Sequence, residues 1–188
     1  MHYGANRWRR YIPCKSEQKS PLTNWEECWR KARFPGLGPE NISFLFKMLH
    51  NTLVTQERLS KTNPKISPFC KFPGCPGTDR EDLIHALIHC PGNNGTGTSV
   101  FNCIKKFIPG LKAEEALRLE FDVEDSVQLP LVWALAVAWG AIWDLRFKKT
   151  KPILYMVRAQ LEAKVALLRE GRRFSNASAI IDTIIETM

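Results

Sequence analysis

The sequence predicts a mostly α-helical protein, in which a zinc-stapled helical segment is followed by a small antiparallel helical bundle. Apolar residues recur at helical spacing along most of the 188 residues, and no alternating pattern is long enough to predict a strand. Three cysteines and a histidine also follow one another in the spacing C-x4-C-x9-H-x4-C. We therefore expect a basic N-terminal tail (1–21), a helical zinc-binding module (22–95) and a C-terminal helical bundle packed on it (96–188).

The cysteines and the histidine form a complete ligand set for one tetrahedral zinc ion. The predicted ligands are Cys70, Cys75, His85 and Cys90. The turn-forming pair Pro73-Gly74 lets the first two sulfur atoms face the same ion. Pro91 ends the helical segment that carries the histidine, and a loosened last turn would bring the fourth ligand towards the ion. Four protein ligands leave no coordination position for water, so the predicted role of zinc is structural.

The sequence leaves alternatives to this site open. The cysteines could instead form disulfides with another cysteine, or they could be buried thiols without a metal. The nitrogen ligand is also ambiguous, because His89 lies four residues after His85 and could share its helix face. We favour His85, since His89 is adjacent to Cys90 and a helix points neighbouring side chains apart.

The net charge of +8 is concentrated in the front of the chain, where residues 1–75 carry 13 Lys and Arg against 5 Asp and Glu. Such a basic segment favours an anionic partner, of which nucleic acid, RNA or DNA, is the commonest. The tail also places Trp8 among arginines, which suits phosphate contact with base stacking. The predicted nucleic-acid contacts are Arg7, Arg9, Arg10, Lys61, Lys65, Lys71 and Arg80. A solvated basic surface would give the same charge pattern.

The first residues contain no apolar signal segment, and six cysteines are too few for a disulfide scaffold. We therefore expect an intracellular protein, nuclear or cytoplasmic, that is not secreted. The most apolar run, Leu129–Trp143, is shorter than the roughly 20 residues that cross a bilayer. This apolar run predicts a central helix that is buried in the protein. We therefore expect no membrane partner.

Three helices are predicted before the cysteines. Thr23 or Asn24 caps the first, which runs to about Ala32. The second spans Pro39–Asn51, with a proline in its first turn and one apolar face. Thr55 caps a short third helix.

The remaining elements follow the cysteines. A helical pattern over Asp79–Ile88 carries the histidine, and Gly92–Ser99 is expected to be a flexible linker. Two short helices and an acidic connector (119–127) then lead to the apolar helix, with Pro130 in its first turn. A helix begins at Pro152 after a basic turn, and a last helix is capped by Asn176 or Ser178. Because short loops join the apolar helix and the two helices that follow it, we expect these three helices to form the antiparallel bundle.

The front of the chain resembles a known family. The motifs are Ser43-Phe-Leu-Phe-Lys-Met-Leu-His-Asn51, Leu53-Val-Thr-Gln-Glu-Arg-Leu59, the cysteine pair, and Glu81-Asp-Leu-Ile-His-Ala-Leu-Ile-His-Cys-Pro91. In this order they resemble the reverse-transcriptase zinc-binding domain, which follows the polymerase in LINE-type (non-LTR) retrotransposons. The cysteine pair departs from the family, whose spacing is Cys-x2-Cys. The resemblance implies a module that grips template RNA or target DNA beside a reverse-transcriptase polymerase domain.

No catalytic motif accompanies this resemblance. The sequence has no Tyr/Phe-x-Asp-Asp motif, and the acids of Phe121-Asp-Val-Glu-Asp125 have the wrong spacing for one. We therefore predict a zinc-binding, nucleic-acid-binding module that is not itself an enzyme, with single-stranded nucleic acid favoured over sequence reading in duplex DNA. The alternative is a protein–protein docking module of a retroelement polyprotein fragment.

Overall fold

The computed structural model describes Arg30 and residues 37–121, 123–170 and 177–188. The predicted basic tail with Arg7, Arg9 and Arg10 lies outside these residues, as does most of the first predicted helix. Across the described ranges the protein is helical and contains no strand, which confirms the predicted fold class. The helices are α1 (Pro39–Leu49), α2 (Gln56–Thr62), α3 (Thr96–Phe107), α4 (Ala113–Arg118), α5 (Asp125–Phe147), α6 (Leu154–Glu170) and α7 (Ala177–Thr187).

Helices α1 and α2 follow the sequence signals closely. Pro39 begins α1, where the absent backbone N–H leaves no hydrogen bond unmade. The predicted apolar face of α1 is buried and consists of Phe44, Leu45, Met48 and Leu49. The hydroxyl of Thr55 accepts a hydrogen bond from the Arg58 amide (3.3 Å), so the predicted cap of α2 is confirmed.

The predicted helix over Asp79–Ile88 begins too early. Arg80 instead pairs with Phe69 in an isolated antiparallel bridge, which holds the backbone extended there. Helical structure starts only at Leu83 and continues as one π-helical turn, His85–His89. Hydrogen bonding across the bridge therefore overrides the local helical pattern.

The predicted flexible linker over Gly92–Ser99 is also wrong. A 3₁₀ turn spans Pro91–Asn93, and α3 begins at Thr96 rather than near Ser99. Four residues of this segment are buried: Gly92, Asn93, Thr96 and Gly97. Gly92 and Gly97 serve here for close packing between elements, not for flexibility.

The central helix α5 is longer than predicted, with 23 residues. It begins at Asp125, so Pro130 lies inside the helix rather than in its first turn. Because proline has no backbone N–H, the carbonyl of Ser126 receives no helical hydrogen bond from residue 130. By length and composition Ser126–Phe147 could cross a membrane, but 72% of its apolar window is buried within the protein. Trp133 and Trp139 are fully buried, as expected for a core helix.

Helices α6 and α7 complete the core, and both pack on α5 and on each other. Their buried faces consist of Val157, Leu161 and Val165 on α6, and Ile181, Ile184 and Ile185 on α7. Helix α6 begins at Leu154, two residues after the predicted Pro152. Helix α7 begins at Ala177, so Ser178 lies inside it and is not its N-cap, while Asn176 lies outside the described residues. An ion pair between Lys164 and Glu40 joins α6 to α1.

Candidate metal centre

The four predicted ligands come together in the structure. One ligand atom from each of Cys70, Cys75, His85 and Cys90 lies within 4.8 Å of all the others. The Cys70 and Cys90 Sγ atoms are 3.8 Å apart, and the Cys75 Sγ is 3.6 Å from the His85 Nε2. Metal–sulfur distances of about 2.3 Å and metal–nitrogen distances of about 2.0–2.1 Å give tetrahedral edges of about 3.8 Å between two sulfur atoms and about 3.5–3.6 Å between sulfur and nitrogen. The donor set and these two separations therefore fit one tetrahedral metal ion.

The disulfide alternative does not match this geometry. The four cysteines among the described residues are free thiols. A separation of 3.8 Å between the Cys70 and Cys90 sulfur atoms is far longer than a disulfide bond of about 2.05 Å. Cys103 lies apart from the cluster and is buried in the core, where its thiol donates to the carbonyl of Thr187 (3.2 Å).

A tight turn positions the first pair of cysteines. The Cys75 amide donates to the carbonyl of Phe72 (3.0 Å), with Pro73 and Gly74 between them. Gly74 has φ +84°, which is the left-handed conformation that the third position of a type II turn requires. Before the turn, the Cys70 amide donates to the carbonyl of Asp79 (3.0 Å). The predicted Pro-Gly turn is therefore present, and the bridge beside it fixes where it starts.

A π-helical turn positions the second pair. The Cys90 amide donates to the carbonyl of His85 (2.7 Å), five residues earlier rather than four. This wider turn lets both side chains face one point, as the prediction of a loosened last turn requires. Two side chains that follow it in sequence satisfy carbonyls of the turn: Asn93 donates to Ala86 (2.8 Å) and Thr98 to Ile88 (3.0 Å).

The π-helical turn packs directly against the first turn of α3. A Cβ built at Gly97 would lie 1.9 Å from the carbonyl oxygen of Leu87, which no real side chain tolerates. Glycine at this position therefore permits the backbone contact that supports the turn between the ligands His85 and Cys90.

His85, not His89, belongs to the cluster, and His89 is exposed. The His85 amide donates to the carboxylate of Asp82 (2.7 Å), which fixes the start of the turn. Its ring Nδ1 faces the Asp79 carboxylate at 3.9 Å, so that Nε2 points at Cys75. Burial, together with the charge of Arg146, lowers the pKa of His85, which favours the neutral imidazole that a metal ligand must be.

Arg146, near the end of α5, is buried against the sulfur atom of Cys70. Its guanidinium donates to Glu81 Oε1 (3.0 Å), to Asn93 Oδ1 (3.0 Å) and to the Sγ of Cys70 (3.6 Å). It also lies 4.2 Å from the centre of the Phe72 ring. Arg146 is 6% exposed and Glu81 is 8% exposed, so this ion pair is shielded from water.

The protonation of the cluster follows from its burial. Burial raises the pKa of the Cys70 thiol to about 12, so a bound metal has to displace its proton. Burial alone would lower the pKa of Arg146, but its contacts with the thiols of Cys90 and Cys70 outweigh this effect. The net shift is upward, and the guanidinium stays charged beside the cluster.

The predicted nucleic-acid residues near the cluster are all exposed. Lys61 and Arg80 approach the same carboxylate, Glu57, at 3.3 Å and 4.0 Å. Lys65 and Lys71 lie on the segment that leads from α2 into the cysteine turn. Arg7, Arg9 and Arg10 lie outside the described residues, so the structure does not relate them to this surface.

Sequence reasoning did not identify the residues behind the ligands. It assigned no role to Arg146, Glu81 or Asn93. One signal was present, because Arg146 continues the helical spacing of the buried residues Trp139 and Ile142. A charged residue on the buried face of a core helix requires a partner.

Comparisons of the chain with protein-family models, with curated proteins and with solved structures find no match. The resemblance to the reverse-transcriptase zinc-binding domain therefore stays a prediction, and function has to be inferred from the chemistry of the site.

Proposed function

We propose that the chain is a zinc-stapled helical module that binds single-stranded nucleic acid and has no catalytic activity of its own. The observation that carries the zinc part is the separation of the ligand atoms, 3.8 Å between Cys70 and Cys90 and 3.6 Å between Cys75 and His85. Three thiols and one imidazole are a donor set that structural zinc prefers, and four protein ligands leave no open position for a reacting water.

Zinc binding at this site contributes directly to folding. Two ligands flank a tight turn and two belong to the π-helical turn, and no strand among the described residues holds these two pieces together. Zinc binding at small structural sites is worth about 10–16 kcal/mol near neutral pH. The bound metal would then hold the backbone that carries the nearby exposed Lys and Arg side chains in one conformation.

Nucleic-acid binding is supported by exposed cations on α2 and on the segment that carries the first two cysteines. Lys61, Lys65, Lys71 and Arg80 are exposed there, and their charge suits phosphate groups. Phe69 is 44% exposed although it is a large apolar residue, and it lies opposite Arg80 in the antiparallel bridge. Paired residues of a bridge present their side chains on the same face, within reach of each other. An aromatic ring beside a guanidinium is a platform on which an unpaired base stacks.

A gel-shift titration tests this proposal, with single-stranded RNA, single-stranded DNA and duplex DNA as probes. Four phosphate contacts predict a slope of about −2.8 for the logarithm of affinity against the logarithm of salt concentration on single strands. Affinity should therefore fall about 50-fold between 50 and 200 mM salt. Affinity that stays flat over this range would contradict phosphate contact.

Matched variants localise the binding surface. The double variant Lys65→Gln/Lys71→Gln should reduce the salt slope by about 1.4, because two contacts are removed. The double variant Lys105→Gln/Lys106→Gln makes the same charge change on the last turn of α3 and should leave the slope unchanged. Phe69→Ala should weaken single-strand binding by about 1–3 kcal/mol and duplex binding little, since only unpaired bases stack.

A second candidate function is docking onto another protein, such as a reverse-transcriptase polymerase domain. It is favoured by Phe147 and Tyr155, which are 81% and 75% exposed near the turn between α5 and α6. Charge reversal of Lys61, Lys65, Lys71 and Arg80 separates the candidates. It should abolish nucleic-acid binding, whereas docking through apolar contacts should survive it and should fail in Phe147→Ser/Tyr155→Ser.

The proposed site also bears on the compartment. Free thiolate ligands persist where the surroundings are reducing, so an intracellular location, nuclear or cytoplasmic, is part of the proposal. Metal analysis of protein purified with and without a reducing agent tests this point. Oxidation of the cluster should release zinc in proportion to the thiols lost.

A further inference from the structure

We infer that Arg146 is an outer-sphere partner of the metal, which donates to a sulfur ligand and ties the metal centre to the core helix α5. This inference rests on the proposed zinc site. It goes beyond that site, because it assigns a role in metal retention to a residue that is not a ligand and is 76 residues from Cys70 in sequence.

The guanidinium of Arg146 donates to three different groups. One nitrogen donates to Asn93, and the other donates both to Glu81 and to the sulfur of Cys70. The central carbon of the guanidinium lies over the Phe72 ring, 4.2 Å from the ring centre. A planar fork with five N–H donors can make these contacts together, whereas the point charge of a lysine cannot.

The contacts of Arg146 also matter for the charge of the metal-bound cluster. A divalent ion with three thiolates and a neutral imidazole carries a net charge of −1. Cys70 and Cys90 are buried, so water screens this charge poorly. The positive guanidinium lies against the sulfur of Cys70 and stabilises the metal-bound form. Glu81, which pairs with the same nitrogen at 3.0 Å, holds the guanidinium in place and offsets its charge at longer range, so the stabilisation depends on the N–H group that lies 3.6 Å from the sulfur of Cys70.

The position of Arg146 couples metal retention to the core. Its backbone belongs to α5, the helix that also contributes the fully buried Trp133 and Trp139. Asn93, which Arg146 contacts, donates in turn to the π-helical turn between two ligands. Removal of the metal should therefore loosen the packing of α5 as well as the loop, and loss of Arg146 should weaken the metal site.

Zinc affinity, measured by competition with a chelating dye, tests the inference. Arg146→Met should bind zinc 10–100-fold more weakly than the wild-type protein, as loss of an outer-shell partner does. Arg158→Met is the matched control, because Arg158 on α6 forms an exposed ion pair with Glu162 at 2.9 Å, and its affinity should be unchanged.

A double variant separates a role in metal retention from a purely structural one. Arg146→Met leaves Glu81 buried without its partner, which by itself destabilises the fold. Arg146→Met/Glu81→Met removes both charges, so its melting temperature should recover towards that of the wild-type protein. Its zinc affinity should stay 10–100-fold reduced, because the double variant still lacks the N–H donor that faces the sulfur of Cys70. Arg146→Lys keeps the charge without the fork and should lie between the wild-type protein and Arg146→Met.

Each possible result either supports or overturns the role of Arg146 in metal retention. Recovery of zinc affinity together with melting temperature in the double variant would overturn the inference, as would wild-type affinity in Arg146→Met. If the methionine variants do not fold, wild-type affinity in Arg146→Lys would overturn it. A wild-type protein that binds no zinc would overturn the proposed function and this inference together, so the two failures are distinguishable.

Discussion

The contact between α3 and the π-helical turn provides a sharp test of how the metal centre is built. Gly97 lies in the first turn of α3, and a Cβ there would meet the carbonyl oxygen of Leu87 at 1.9 Å. Gly97→Ala therefore forces α3 and the turn apart by more than 1 Å, because ordinary Cβ contacts begin at about 3.4 Å. We expect this substitution to weaken both the fold and the metal site.

The magnitude follows from two opposing effects. Alanine favours a helix over glycine by about 1 kcal/mol. Overpacking a well-packed contact costs about 1–3 kcal/mol, and a clash with backbone lies at the upper end or above because a carbonyl cannot change rotamer. We expect a net loss of about 2 kcal/mol in the free energy of unfolding. For a chain of this size that lowers the melting temperature by roughly 4–8 °C.

The assay is thermal unfolding followed by circular dichroism, together with zinc affinity from dye competition. Gly140→Ala is the matched control, because a Cβ at Gly140 on α5 would make only ordinary contacts with Phe44 at 3.7 Å. It should raise the free energy of unfolding by up to about 1 kcal/mol. A Gly97→Ala protein with wild-type melting temperature and zinc affinity would refute the close approach of α3 to the turn.

Three further outcomes are expected. Cys75→Ser should reduce zinc content and melting temperature, whereas Cys103→Ser, outside the cluster, should keep its zinc; equal zinc content in both would contradict the ligand set. Thr55→Ala should lower the free energy of unfolding in urea by about 1 kcal/mol through loss of the α2 cap, and no change would contradict the cap. Burial lowers the pKa of His50 and of His85 in the folded state, so the unfolded chain takes up protons first, and stability in the presence of a chelator should fall as the pH drops below about 6.5. This loss should be smaller in His50→Gln, and a melting temperature that rose on acidification would contradict the sign.

The sequence predicts the elements whose cause is local. Pro39 and Thr55 set the starts of α1 and α2, and the apolar stripe of α1 is the face that it buries. The Pro73-Gly74 turn also follows from residues that prefer one backbone conformation. The cluster could be predicted because three cysteines and one histidine at that spacing have few uses other than metal binding.

The errors arise where contacts distant in sequence decide the structure. Asp79 lies in an apparently helical pattern, but its carbonyl accepts a hydrogen bond from Cys70 instead. Gly97 suggests a flexible loop, yet the close approach of Leu87 explains why glycine stands there. Arg146 gains its role only when α5 packs beside the cysteines, because its partners Glu81 and Asn93 lie 65 and 53 residues away. No local preference contains this information.

The measurement that tests the central claim most directly is X-ray absorption at the zinc edge on the purified protein. The account predicts one zinc ion per chain, with three sulfur atoms at about 2.3 Å and one nitrogen atom at about 2.0–2.1 Å. Protein without zinc, or a zinc ion surrounded mainly by oxygen atoms, would contradict the proposed metal centre.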